Sequence, residues 1–259
     1  WPALTELERW PSNLPQIHDL KFSPDGTRLL VAGGAPGERG VVELWQWPAR
    51  RRQRTFAAHT DVVYRVAWSS TGNEWTAASG DGGCSVWSLD HDQPRARFTG
   101  HARPVLATIY VDERRVLTGG VDQALRLWTT RDARLERSLD QHQAAINQIA
   151  MAPAAAAESP QPPLVATVGE DRTVRLWQPQ IGRLVRFTRL ASIPRTVVWQ
   201  DDGRRLVVGC NDGRLRWLAA EDLSVIGERD AEVGRIHELL DDARAQRLFV
   251  GGARGVTAV

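Results

Sequence analysis

Residues 118–128 read TGGVDQALRLW, and residues 167–177 read TVGEDRTVRLW. Each places a Thr four residues before an Asp and ten before a Trp, and each closes on a run that alternates with the period of two of a β-strand. The Trp recurs outward along the chain. Trp45, Trp87, Trp128 and Trp177 are separated by 42, 41 and 49 residues, and 41 residues further on the pattern falls on Leu218, with Trp217 beside it. A period in the forties marks a repeat architecture, in which one supersecondary unit cannot bury its own faces and must stack on copies of itself. The 259 residues therefore read as a single domain of repeats.

Apolar entry strands are expected at 17–22, 63–68, 105–110, 146–151, 194–199 and 236–241. Turns follow, most plainly SPDG at 23–26, STGN at 70–73 and DDGR at 201–204, where Pro, Gly, Asp or Asn supplies the fixed or positive φ of a tight hairpin. Second strands are expected at 29–32, 75–78, 116–119, 164–168, 206–209 and 248–251. Third strands end at the recurring Trp, and more polar fourth strands follow, as at 95–98 and 184–187. Four antiparallel strands of falling hydrophobicity form a wedge that is buried at its inner edge and wet at its outer edge. Such wedges close radially.

On these residues the chain resembles the WD-repeat β-propeller family over its whole length, in the form found in bacteria. Gly100-His101, Ala58-His59 and Gln141-His142 match the Gly-His mark before the first strand, and Asp81-Gly82 and Asp212-Gly213 the Asp-Gly mark before the third. The Trp-Asp dipeptide itself is absent: Gln, Ser, Thr and Gln follow Trp45, Trp87, Trp128 and Trp177. The resemblance implies an all-β propeller of four-stranded antiparallel blades, six of them visible, at about 14–57, 58–99, 100–140, 141–189, 190–229 and 230–259. Closure at six would use residues 1–10 as the outer strand of the last blade, with 3–9 (ALTELER) beside 256–259. A seventh blade in a parent protein is the rival expectation.

The resemblance also implies a buried network in each blade, running from His to Ser/Thr and Asp and ending on the Trp indole. It is complete as His101, Thr118, Asp122 and Trp128, and as His142, Thr167, Asp171 and Trp177. The second repeat keeps His59, Asp81 and Trp87 but has Ala77 where the hydroxyl belongs, and the fifth keeps only Asp212. These residues are expected to be structural, because a buried indole N–H or imidazole without a partner costs about 1–3 kcal/mol.

Composition narrows the function classes. The formal charge is +2, Lys21 is the sole lysine, and the one dense basic run is Arg50, Arg51, Arg52 and Arg54, expected to be a solvated strand edge. Nucleic acid is not an expected partner, because its binders cluster cations on one face. No apolar run is long enough to span a membrane, so a soluble protein is expected, with cytoplasm and periplasm both open. Cys84 and Cys210 fall in different repeats and are expected to be unpaired. The start at Trp1 without a leader, and the end at Val259 one place before a repeat carries Trp, suggest a segment of a longer protein.

Two insertions break the spacing, 33–40 (GGAPGERG) and 152–163 (APAAAAESPQPP), and both are expected to be surface loops. The first lacks the lysine and spacing of a phosphate loop. In the family, partners dock where loops enter the first strands, which here implies His18, Tyr64, Leu106, Asn147, Arg195 and His237, one per blade at the channel mouth. Tyr and Arg are enriched in protein-binding hot spots. Asp19 and Glu238 follow the two histidines, but alternation on a strand is expected to turn them away, so no metal site is expected. The expected function is a non-enzymatic scaffold for a protein or peptide, without cofactor. The alternative is an accessory domain of a larger bacterial enzyme such as a kinase, protease or cytochrome-type fusion.

Overall fold

A computed structural model describes residues 10–153, 163–200, 203–242 and 245–259. The first sheet holds β1 (Gln16–Phe22), β2 (Arg28–Ala35), β3 (Arg39–Gln46) and β4 (Arg51–His59). The second holds β5 (Val63–Trp68), β6 (Glu74–Ser79), β7 (Cys84–Ser88) and β8 (Ala96–Phe98). The third holds β9 (Val105–Asp112), β10 (Arg115–Gly120), β11 (Leu125–Thr129) and β12 (Leu135–Leu139). In the fourth are β13 (Ile146–Met151), β14 (Val165–Gly169), β15 (Thr173–Gln178) and β16 (Arg183–Arg189). The fifth has β17 (Pro194–Gln200), β18 (Arg205–Cys210), β19 (Arg214–Ala219) and β20 (Val225–Asp230). Among the described residues the sixth has three: β21 (Ile236–Asp242), β22 (Arg247–Gly252) and β23 (Gly255–Ala258).

Every sheet is antiparallel in simple chain order. Each inner strand packs on the next, β1 on β5 and so on to β17 on β21, so the sheets stand as the blades of a six-bladed β-propeller. The strand expected at 3–9 lies outside the described residues, as do most of the 152–163 insertion and the first two residues of the 201–204 turn.

Hydrophobicity explains this order. In β2, six of eight residues are buried, whereas in the outer β12 only Leu139 is. The core is divided among the gaps between blades. Leu30, Val42 and Phe56 of the first blade pack with Val63, Val66, Trp75 and Trp87 of the second, and four further clusters bridge successive blades in the same way. Full burial of one such aliphatic or aromatic side chain is worth about 1.5–3 kcal/mol. A smaller sixth cluster is of another kind: Leu29, Val31 and Trp45 lie beneath Trp10 and Leu14, from the segment that precedes β1.

The 33–40 insertion is not a loose loop. It lengthens the β2–β3 hairpin, with Gly34 opposite Gly40 and Ala35 opposite Arg39. Its glycines answer to close backbone approach: a Cβ on Gly33 would stand 1.8 Å from the Gln16 carbonyl oxygen, and one on Gly40 2.2 Å from that of Asp61. The arginine run departs from a plain solvated edge. Arg52 pairs with buried Glu43 at 2.7 Å, Arg54 with Asp92, and the Arg50 guanidinium lies over the Trp10 and Trp47 rings. Cations with apolar stems on a polar outer strand cover indole faces as well as water.

Candidate interaction face

Two sets of polar residues have to be placed: those that tie each blade together and those that open on the channel. In the third blade, His101 Nδ1 lies 2.8 Å from Asp122, its Nε2 lies 2.7 Å from Thr118 Oγ1, and the Trp128 indole donates to the same oxygen at 2.8 Å. His142, Asp171, Thr167 and Trp177 repeat this in the fourth, at 2.9, 2.8 and 2.8 Å. Burial lowers the pKa of both histidines below the ordinary 6.5. Burial would raise the Asp171 carboxyl, but hydrogen bonds from His142, Thr173 and the Gln143 backbone outweigh it and hold the group far below the usual range.

The second blade corrects the sequence reading. Its hydroxyl is Ser85, which stands 2.8 Å from His59 Nε2 and accepts from the Trp87 indole at 2.8 Å. Ser85 lies opposite Ala77 in the β6–β7 pair, so the group has moved one strand outward. The signal lay in the residue two before each Trp, which shares its face. At that place Glu43 accepts from Trp45 at 3.0 Å, Arg126 pairs with Asp122 at 2.6 Å, and Arg175 with Asp171 at 3.3 Å. In the fifth blade, Asp212 pairs with Arg216 at 2.7 Å.

The channel mouth is built by β-bulges. Each inner strand slips register near its start, leaving His18, Tyr64, Leu106, Asn147, Arg195 and His237 unpaired in the ladder, and β9 slips a second time at Val111. A bulge opposes two residues to one and re-aims a side chain. Here all six bulged side chains line a single concavity of about 410 Å³, together with Arg65 and Arg235. The sequence reading missed both arginines; strict alternation turned Arg65 away, whereas Arg235, two residues before His237, shares its face by that same alternation. At a bulge alternation fails, so successive Tyr64 and Arg65 face the same space.

None of the lining residues is a carboxylate. Just outside, Arg195 is held by Glu170 at 2.6 Å and by Asn211 at 2.7 Å, and Asn147 donates to the Pro194 carbonyl at 2.9 Å. Arg65 spans Asp19 at 3.5 Å and Glu238 at 2.7 Å. His18 packs edge-on to Tyr64 with centroids 5.2 Å apart, and partial burial lowers its pKa. The mouth thus offers pre-positioned donors and one apolar side chain. Among the described residues no group of three or more His, Cys, Asp or Glu is placed to hold a metal. A larger cleft of about 1200 Å³ opens at the other end, between the second and third blades, but charge pairs such as Arg95–Glu74 and Arg115–Asp112 fill its walls.

The family model for "WD domain, G-beta repeat" matches residues 50–88 and 133–178. These matches, with the blade geometry, support a WD-repeat β-propeller. The chain is also similar to parts of longer proteins. Mouse "Telomerase protein component 1" is 28% identical over 75% of this chain and 7% of its own length. "WD repeat-containing protein srw1" of Schizosaccharomyces pombe is 23% identical over 92% of this chain and 42% of its own. Human "Pre-mRNA-processing factor 17" is 23% identical over 84% of this chain and 37% of its own. The chain spans less than half the length of each of these relatives. All three are eukaryotic, so they lend no support to a bacterial form of the repeat. No helix among the described residues is long and apolar enough to cross a membrane.

Proposed function

We propose that this WD-repeat propeller is a non-enzymatic interaction module that presents its channel mouth to a protein or peptide. One observation carries the reading: six bulges on six separate strands aim His18, Tyr64, Leu106, Asn147, Arg195 and His237 into one concavity. The lining is rich in donors, so it fits an acceptor-rich segment, such as an acidic side chain or an extended backbone with free carbonyls. One relative is by name a component of telomerase and another a pre-mRNA-processing factor, and we carry over the role of a component acting beside other proteins.

The test is affinity capture from the source organism with this chain and with a Tyr64→Ala, Arg195→Ala double variant of equal melting temperature. A partner retained by the first and lost by the second is the expected result; equal retention by both would remove the mouth from the interaction. A second reading, an accessory propeller within a larger enzyme, is favoured by the short span of each relative that the chain covers. Its bacterial form rests only on the Arg-rich, Lys-poor usage.

A further inference from the structure

A bulge in the outer strand of the first blade gathers part of the arginine run on one face. In the β3–β4 pair Gln46 stands opposite Arg51, Trp45 opposite Arg52 and Leu44 opposite Arg54, which leaves Gln53 unpaired. Three residues apart on a regular strand, Arg51 and Arg54 would point to opposite faces. The bulge turns them to the same one. Arg52 takes the other face, where it meets Glu43. On β2, Arg28 stands opposite Gln46 and Leu30 opposite Leu44. Arg28, Gln46 and Arg51 therefore form a row across three strands, on the face whose Leu30, Leu44 and Phe56 pack toward the second blade.

This row lines a concavity of about 450 Å³ together with Gln53, Arg54, Leu44 and Leu89, and none of the lining residues is a carboxylate. The groove shares no residue with the channel mouth. Arg54 is anchored in it. Its guanidinium donates to the Leu89 and His91 carbonyls, pairs with Asp92 and lies over the Phe56 ring. Arg28 and Arg51 are not anchored: among the described residues neither guanidinium has a hydrogen bond or an ion pair, and the Gln46 and Gln53 amides have no partner either. Asp25 lies within electrostatic reach of Arg28, but its carboxylate is taken by the Ser23 and Thr27 hydroxyls and the Thr27 amide.

Other blades answer the same places differently. The outer-strand bulge recurs in the third, fourth and fifth blades, where Glu136, Val185 and Ile226 hold the place of Gln53. In the third blade Arg115 holds the place of Arg28, yet Asp112 pairs with it at 2.7 Å. Glu136 there pairs at 4.0 Å with Arg134, which holds the place of Arg51. The first blade has an amide where the third has that acid, and its two cations stand unanswered.

Guanidinium forks match the geometry of phosphate oxygens, and amide N–H groups add further donors. The cations converge on one concavity rather than tracking along the surface, and beyond Leu89 the chain continues to exposed Asp90 and Asp92. A nucleic-acid strand would call for a basic stripe, so this arrangement suits a single oxyanion. We propose that the groove binds one phosphate monoester dianion, with Arg28 and Arg51 as its charged clamps, the Gln46 and Gln53 amides as further donors, and Arg54 as the anchored wall. A phosphorylated side chain and a free small-molecule phosphate both present this chemistry. The proposal does not depend on the channel mouth binding a partner.

The test follows arginine Nε–H signals by NMR at constant ionic strength and about pH 7.5, where a phosphate monoester carries close to two charges. Inorganic phosphate and a short phosphoserine peptide are the probes. Saturable shifts at Arg28 and Arg51 are expected with phosphate and not with chloride. An Arg28→Gln, Arg51→Gln double variant should bind at least about tenfold more weakly. Its Tm should stay within about 2 °C, since neither side chain has a partner to lose. Tighter binding of the peptide than of inorganic phosphate would assign the group to a phosphorylated partner, and equal binding to a small phosphate; either supports the site. Shifts that chloride reproduces, or unchanged affinity in the double variant, would overturn the proposal. Oligouridylate bound more tightly than the phosphopeptide at equal phosphate concentration would overturn it too, by making the groove part of a nucleic-acid track.

Discussion

Ser85 stands directly opposite Ala77 across the β6–β7 pair, and its Oγ joins the His59 imidazole and the Trp87 indole. One hydroxyl thus completes in the second blade a network that the third and fourth blades complete through Thr118 and Thr167 on the neighbouring strand.

Ser85→Ala should lower unfolding free energy by about 1–3 kcal/mol, since it leaves the buried Trp87 N–H and His59 Nε2 without a partner. Ala77→Ser added to the same chain should recover part of the loss by restoring the hydroxyl from the opposite strand. Urea unfolding of the single and double variants checks both.

Scaffold and mouth should separate on mutation. Trp128→Ala removes a buried indole and should cost about 3–5 kcal/mol. Arg195→Ala removes a partly exposed ion pair with Glu170 and should cost about 1 kcal/mol or less. Equal shifts in chemical denaturation would dissolve the distinction between network and mouth residues.

Acid should destabilise the fold in two stages. The folded pKa values of His101 and His142 lie below 6.5, so the unfolded chain binds more protons, and stability falls as pH drops below about 6.5. Asp122 and Asp171 are also lowered, so a second loss begins below about pH 4, where the unfolded carboxylates take up protons first. Unfolding free energy measured from pH 8 to pH 3 should be level at the upper end and then fall in these windows.

The two thiols should be inert in the native state. Burial pushes Cys84 up to about 12 and Cys210 up to about 11, so almost no thiolate forms at pH 8. A thiol reagent should modify neither cysteine until denaturant is added, and both afterwards.

Within the β2–β3 hairpin, Gly33→Ala should be far worse than Gly37→Ala. The first drives a Cβ into the Gln16 carbonyl oxygen, while the second meets open space and bears only the strain of φ +68°. That strain is about 1 kcal/mol, and melting temperatures of the two variants should rank accordingly.

Some of this was legible in the chain. The spacing of Trp45, Trp87, Trp128 and Trp177 and the period-two strands specify repeats, and the mouth residues follow from their place at the head of each inner strand. The Ser85 substitution was not legible from repeat alignment, because the hydroxyl moved to the adjacent strand while keeping its place in space. The Arg65 contribution was hidden for a different reason: a bulge has no sequence signature here, and without it alternation turns Arg65 away, whereas Arg235 stands two residues before His237 and was readable from that spacing.

By itself, the sequence determined the class of fold and the identity of the blades, because binary pattern and repeat period are local properties that every blade states again. Only the tertiary structure decided which faces find partners. Ile17 and Leu20 have the same apolar character as Val63 and Val66, and whether such side chains are buried depends on the neighbour that distant parts of the chain place against them.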